Sequence, residues 1–100
     1  MITGALCRAA RALVEIDRKA LSDASGVAED AIAAFERGIQ DPDAAAIAAL
    51  QAALETYGAL FLPEERARGA GVRLKFSRNV SARLQGLENE GGISASDDVP

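Results

Sequence analysis

The sequence contains no histidine and no tryptophan, one cysteine, and only 4% aromatic residues. Without histidine, the usual general base and the commonest zinc ligand are both missing. A single cysteine, Cys7, excludes an internal disulfide and gives no metal cluster. Its setting, "ALCRAARAL", places it within a helix, where a free thiol is expected to act as a small buried hydrophobe rather than a nucleophile. No apolar run approaches the roughly 18 residues of a membrane span. The opening "MITGALCRAARALVEIDRK" lacks a basic leader followed by a long apolar stretch, so no secretory signal is expected. Nucleophile motifs and phosphate-cradling glycine loops are also missing. Carboxylates are plentiful, but an acid–base pair needs a pocket that a small alanine-rich core is poorly suited to enclose. The expectation is a cytoplasmic protein that is not an enzyme and needs no cofactor, metal or membrane.

What the chain does have is alanine. Hydrophobic residues make up 49% of its 100 positions, but alanine favours helix and close packing while burying little apolar area. One small, mostly helical domain with a slim margin of stability follows. The net charge of -4 weighs against nonspecific nucleic-acid binding, although local charge matters more than the sum.

Periodicity and caps divide the chain. Thr3 caps a first helix to about Glu15, with Leu6, Ala10, Leu13 and Val14 as its apolar stripe and Arg8 and Arg11 on other faces. Asp17 caps a second, "DRKALSDASG", which turns Ala20, Leu21 and Ala24 inward and ends at Gly26. A third runs from about Glu29 to Arg37, burying Ile32 and Phe35, with Gly38 ending it. Asp41 and Pro42 open a fourth, in which Ile47, Leu50, Leu54 and Tyr57 recur at spacings of three and four before Gly58. Beyond it, "ALFLP" and the alternating "GVRLKF" predict two short strands joined by "EERARGAG". Asn79 caps a further short helix carrying Val80, Leu84 and Leu87, and the end is polar and acidic. The division is 1–58 for the helical unit, 59–78 for the hairpin and 79–100 for the short helix and tail. Charge is uneven: Arg66, Arg68, Arg73, Lys75, Arg78 and Arg83 make residues 63–87 basic, whereas Glu88, Glu90, Asp97 and Asp98 make the end acidic.

The segment from Arg18 to Gly38 reads as helix, glycine–valine turn, helix, with Val27 filling the space between the helices. Several stretches match a known pattern in order and spacing. They are "RAARALVEI" at Arg8 to Ile16, then Leu21-Ser22, Ser25-Gly26-Val27-Ala28, and Ile32, Phe35, Glu36, Arg37 and Gly38. Pro42, Leu50, Ala53-Leu54 and Gly58 continue the series, and "ALFL" and "GAGVRLKF" complete it. From Gly4 to about Lys75 the chain resembles the Cro/repressor-type helix-turn-helix regulators, also called the xenobiotic-response-element family, in their short bacterial form with a C-terminal hairpin. The resemblance implies a lambda-repressor-like bundle of four to five short helices with a small hairpin. It also implies a recognition helix at about 28–37, double-stranded DNA as partner, and a homodimer.

Carried over residue by residue, the resemblance makes Arg8, Arg11, Arg18, Lys19 and Arg37 candidates for backbone contacts. Arg18 stands where the family usually has glutamine, and can grip a phosphate directly. The base-facing positions are Ala28, Glu29, Asp30, Ala33 and Ala34. Here the chain departs from the family, which favours serine or threonine at the first and basic or amide side chains at the others. Acidic groups can accept from cytosine and alanine can touch a thymine methyl. Glu29 and Asp30 also stabilise a helix N-terminus in their own right. Glu36 and Arg37 read as members of a turn or a surface ion pair, which contributes little. Arg66, Arg68, Arg73, Lys75 and Arg78 form an accessory basic patch for phosphates or for an acidic protein surface, the chain's own tail included. Leu60, Phe61, Leu62, Val72, Leu74 and Phe76 divide between core and a dimer interface. The alternative is a helix-turn-helix fold used to bind RNA polymerase, another transcription protein or a toxin.

Overall fold

The structure, a computed structural model, describes residues 1–77. It is a small, mostly helical unit: four helices, α1 (Gly4–Val14), α2 (Arg18–Ser25), α3 (Glu29–Glu36) and α4 (Ala44–Thr56), precede two strands, β1 (Ala59–Leu62) and β2 (Gly71–Leu74). The expected further helix from Asn79, with Val80, Leu84 and Leu87, and the acidic end lie outside the described residues.

Side-chain caps start three of the helices. The Thr3 hydroxyl accepts from the Leu6 amide at 3.2 Å and the Asp17 carboxylate from Ala20 at 2.8 Å, satisfying donors that a helix start leaves open. Helix α4 corrects the expectation. Its cap is Asp43, accepting from Ala46 at 2.8 Å, so Asp41 and Pro42 stand before the helix. α3 has Ala28 at its cap position and no side-chain cap bond. α2 ends at Gly26, whose φ of 79° is left-handed and suits glycine.

The core joins Ile2, Cys7 and Ala10 to Leu21, Ile32 and Phe35, and to Ile47, Leu50, Ala53 and Leu54. Each fully buried Leu, Ile or Phe contributes about 1.5–3 kcal/mol relative to exposure. Ile2 flanks the α1 cap on the outside and Cys7 lies four positions past it, the two places from which apolar side chains staple a helix start. The inward line of α1 is therefore Cys7 and Ala10 with Leu6 and Val14, whereas Leu13 is exposed. Ala24 and Tyr57, both expected inside, are exposed as well. Tyr57 caps the C-terminus of α4, where the chain leaves the helix and the apolar spacing no longer holds.

The strands pair antiparallel, Ala59 with Leu74, Leu60 with Arg73, Phe61 with Val72 and Leu62 with Gly71. Directly opposed residues share a face. Ala59 is buried and Phe61 and Val72 pack on the core, so that face rests on α1 and α4. Leu60, Leu62 and Arg73 occupy the outer face. The hairpin closes through Glu65 and Arg68, which exchange backbone hydrogen bonds at 2.8 and 2.6 Å. Lys75 extends the ladder by donating its amide to Gly58 at 2.7 Å. Phe76 lies beyond β2 and is exposed, contrary to the alternation that placed it in the strand.

Candidate functional site at the junction of three helices

Helices α2 and α3 are joined by three residues, Gly26 to Ala28, with Val27 packed against the core between them. Ile32, Phe35 and Glu36 hold α3 down, all three buried. The opposite face carries Asp30, Ala33, Ala34 and, at the C-cap, Arg37. Ala28, Glu29, Asp30 and Arg37 are exposed, and Ala33 and Ala34 half-buried. Of the five base-facing candidates, Ala28 and Glu29 stand at the start of α3 and Asp30, Ala33 and Ala34 lie along its outer face. That face is shallow, and the exposed charges at the helix start are both negative.

The basic candidates separate into groups. Arg8 is exposed on α1. Lys19 is exposed and bonded to Asp23 one turn on, Nζ to Oδ2 at 3.2 Å. Arg11 and Arg18 instead converge on Glu36. Arg11 grips that carboxylate with two bonds, Nε to Oε2 and Nη2 to Oε1, each at 2.9 Å. Its Nη1 donates to the Ile16 carbonyl at 3.2 Å. Arg18 donates from Nε to Glu36 Oε1 at 3.0 Å. The Cys7 thiol completes the group, donating to Oε2 at 3.5 Å.

Glu36 therefore ties α1, α2 and α3 together and is no surface pair. Its side chain is 0% exposed, against 17% for Arg11 and 31% for Arg18. Burial pushes its carboxyl up, but the hydrogen bonds from Arg11 and Arg18 outweigh burial and hold it below the ordinary value of 4.5. The same carboxylate raises the Arg11 guanidinium further. Burial first, and then the Glu36 charge beside it, push the Cys7 thiol up to about 12. Cys7 is buried, as expected, and so far from ionising that it is inert as a nucleophile at neutral pH.

A second close contact sets the angle of α3. A Cβ on Gly4 would stand 1.9 Å from the Phe35 carbonyl oxygen and 2.7 Å from its carbon. The backbones of α1 and α3 meet there, and only glycine fits. Neither this role nor the burial of Glu36 carries a local sequence signal. The two arginines that reach Glu36 lie 25 and 18 positions away.

The hairpin candidates are placed apart from this junction, on α1 and α4. Arg66 and Arg68 sit at the exposed turn, Arg66 with a left-handed φ of 46°. Arg73 is exposed on the outer face, and Lys75 reaches the Glu55 carbonyl at 3.4 Å. Arg78 lies outside the described residues. Of the apolar candidates, Phe61 and Val72 belong to the core. Leu74 shares their face and is half-buried, Leu60 is half-buried on the outer face, and Leu62 and Phe76 are exposed.

Among the described residues no group of three metal-binding side chains occurs, and no helix is long and apolar enough to cross a membrane. No family model and no curated protein matches this chain.

Proposed function

We propose that the protein is a sequence-specific DNA-binding transcriptional regulator of the lambda-repressor-like helix-turn-helix type, working in the cytoplasm as a homodimer. The observation that supports it is the α2–turn–α3 pair. The outer face of α3 is left open, while its inner face is locked by Ile32, Phe35 and Glu36. A helix held in this way can enter a major groove with its N-terminal residues toward the bases, while the helix before it crosses the backbone. Arg8 and Arg37 are exposed and Arg18 keeps 31% side-chain exposure beside its bond to Glu36; in this reading they supply the backbone contacts. Because α3 itself offers few donors, backbone contacts and two copies would supply most of the affinity. Regulation would then be steric or contact-based, with no cofactor.

The experiment is a mobility-shift titration over a salt series on fragments selected from genomic DNA. Binding weakens steeply as salt rises, and Arg18→Glu lowers affinity for every sequence. Unchanged affinity in that variant overturns the assignment. A second reading, a module that docks on the transcription machinery or a toxin, is favoured by one observation. Glu29 and Asp30 are exposed together at the start of α3, and nearby Lys19 is already engaged by Asp23. A folded protein that enriches no DNA points to that reading.

A further inference from the structure

The hairpin has one face that no described residue covers. Its inner face rests on α1 and α4. On the outer face Leu60 is half-buried, Leu62 is 39% exposed and Arg73 is exposed. Gly71, paired with Leu62, adds no side chain there, so the apolar floor lies open at that end. A sheet of two strands is marginal in water and gains from a second cover.

The chain carries a matching surface of its own, outside the described residues. Val80, Leu84 and Leu87, at spacings of four and three, make one stripe of the short helix read from Asn79 onward. Gly86 and its short length leave such a helix unstable alone, so it forms only against a surface. The nearest surface is the hairpin, because only Arg78 separates Asn79 from Ser77, just past β2. A linker of one residue reaches no more than a few ångströms, and it gives docking an effective concentration on the order of millimolar.

The lengths agree as well. Five residues of strand, from Lys75 back to Gly71, run about 17 Å. Twelve helical residues, Asn79 to Glu90, rise about 18 Å. A helix turned back along the strands therefore ends at the hairpin turn, with Glu88 and Glu90 beside Arg66 and Arg68. Charge favours that direction once every group is counted. Residues 63–77 hold Arg66, Arg68, Arg73 and Lys75 against Glu64 and Glu65, a net of +2. Residues 88–100 hold Glu88, Glu90, Asp97 and Asp98 and no cation, a net of -4. Arg78 and Arg83 oppose the approach. Arg78 precedes the helix, and Arg83 flanks the stripe, where a long side chain keeps its head in water. Surface ion pairs contribute little, so the leucines supply the affinity and the charges set the direction.

We propose that residues 79–90 dock as a helix along the outer face of their own hairpin, Val80, Leu84 and Leu87 lying on Leu60 and Leu62. The proposal does not depend on the DNA-binding reading. Tail and second copy then claim one surface, so dimerisation through that face requires the tail to leave.

The test uses the full chain without DNA, so its outcome is separate from that of the mobility-shift titration. Cys7 is buried, and a cysteine at Gln85, opposite the stripe, takes a nitroxide label selectively. The expected result is loss of the Leu60, Leu62 and Arg73 amide signals in NMR, with those of Asp30 and Ala33 kept. Leu84→Glu restores the lost signals, as does Glu88→Arg with Glu90→Arg. Adding Arg66→Glu and Arg68→Glu to that charge-reversed pair removes them again. Hairpin signals that stay sharp overturn the proposal, and so does a loss that Leu84→Glu leaves unchanged. A loss seen only when nitroxide-labelled chain is mixed with isotope-labelled chain places the tail on a second copy and overturns it too. Should the label disturb the fold, the Leu60 and Leu62 methyl signals of the unlabelled chain are compared with those of Leu84→Glu. A shift supports docking, and coincident signals overturn it.

Discussion

At the residue scale, one buried carboxylate joins three helices. Replacing Glu36 by Gln removes the charge that Arg11 and Arg18 share, at a cost of up to about 3–5 kcal/mol, reduced where water reaches the two guanidinium groups. The pH dependence has a definite sign. The folded Glu36 carboxyl lies below its ordinary value of 4.5, so its contribution is complete above that value and is lost as pH falls through the folded one. Urea unfolding from pH 7 downward should show the gap between wild type and Glu36→Gln closing in acid. A gap that stays constant would mean that the charge is not what stabilises. The sequence put Glu36 on the surface because glutamate seldom goes inside without partners. Those partners come from two other helices, and nothing local announces them. Cys7 was legible, since a lone thiol in an apolar helical stretch is usually buried.

At the scale of elements, the helices were legible where chemistry is local. Thr3, Asp17 and Gly26 act at their own helix ends, within three or four residues of their partners. The start of α4 was not, because Asp41 and Asp43 flank Pro42 and are equally good caps by composition. Only the Asp43 bond to Ala46 separates them. Two predictions belong here. Ala28 caps α3 with extended backbone and no side-chain bond, so Ala28→Ser should stabilise the protein by about 0.5–2 kcal/mol in thermal unfolding. No gain would mean that the α3 start is already satisfied. Gly4→Ala works in the other direction. Its methyl would collide with the Phe35 carbonyl, and overpacking of that kind costs about 1–3 kcal/mol. An unshifted midpoint in denaturant would show that α1 and α3 can part without loss.

For the whole molecule, a two-stranded sheet is marginal in water alone. This one gains support on one face from α1 and α4 and leaves Leu60, Leu62 and Arg73 on the other. If the homodimer forms there, light scattering at micromolar concentration gives twice the chain mass, and Leu62→Arg returns it to one chain. A wild type that is monomeric with and without DNA removes the homodimer. The alternation in "GVRLKF" revealed a strand but not where it stops, since Phe76 continues the pattern after the pairing has ended. The shallow face of α3 has a consequence for such an assembly on DNA. Were α3 to face bases, Ala33 and Ala34 would distinguish few of them, and one copy would carry little information about sequence. Two copies would add a ruler. An operator would then be recognised largely by the spacing of its halves and by how readily the base pairs between them bend and twist.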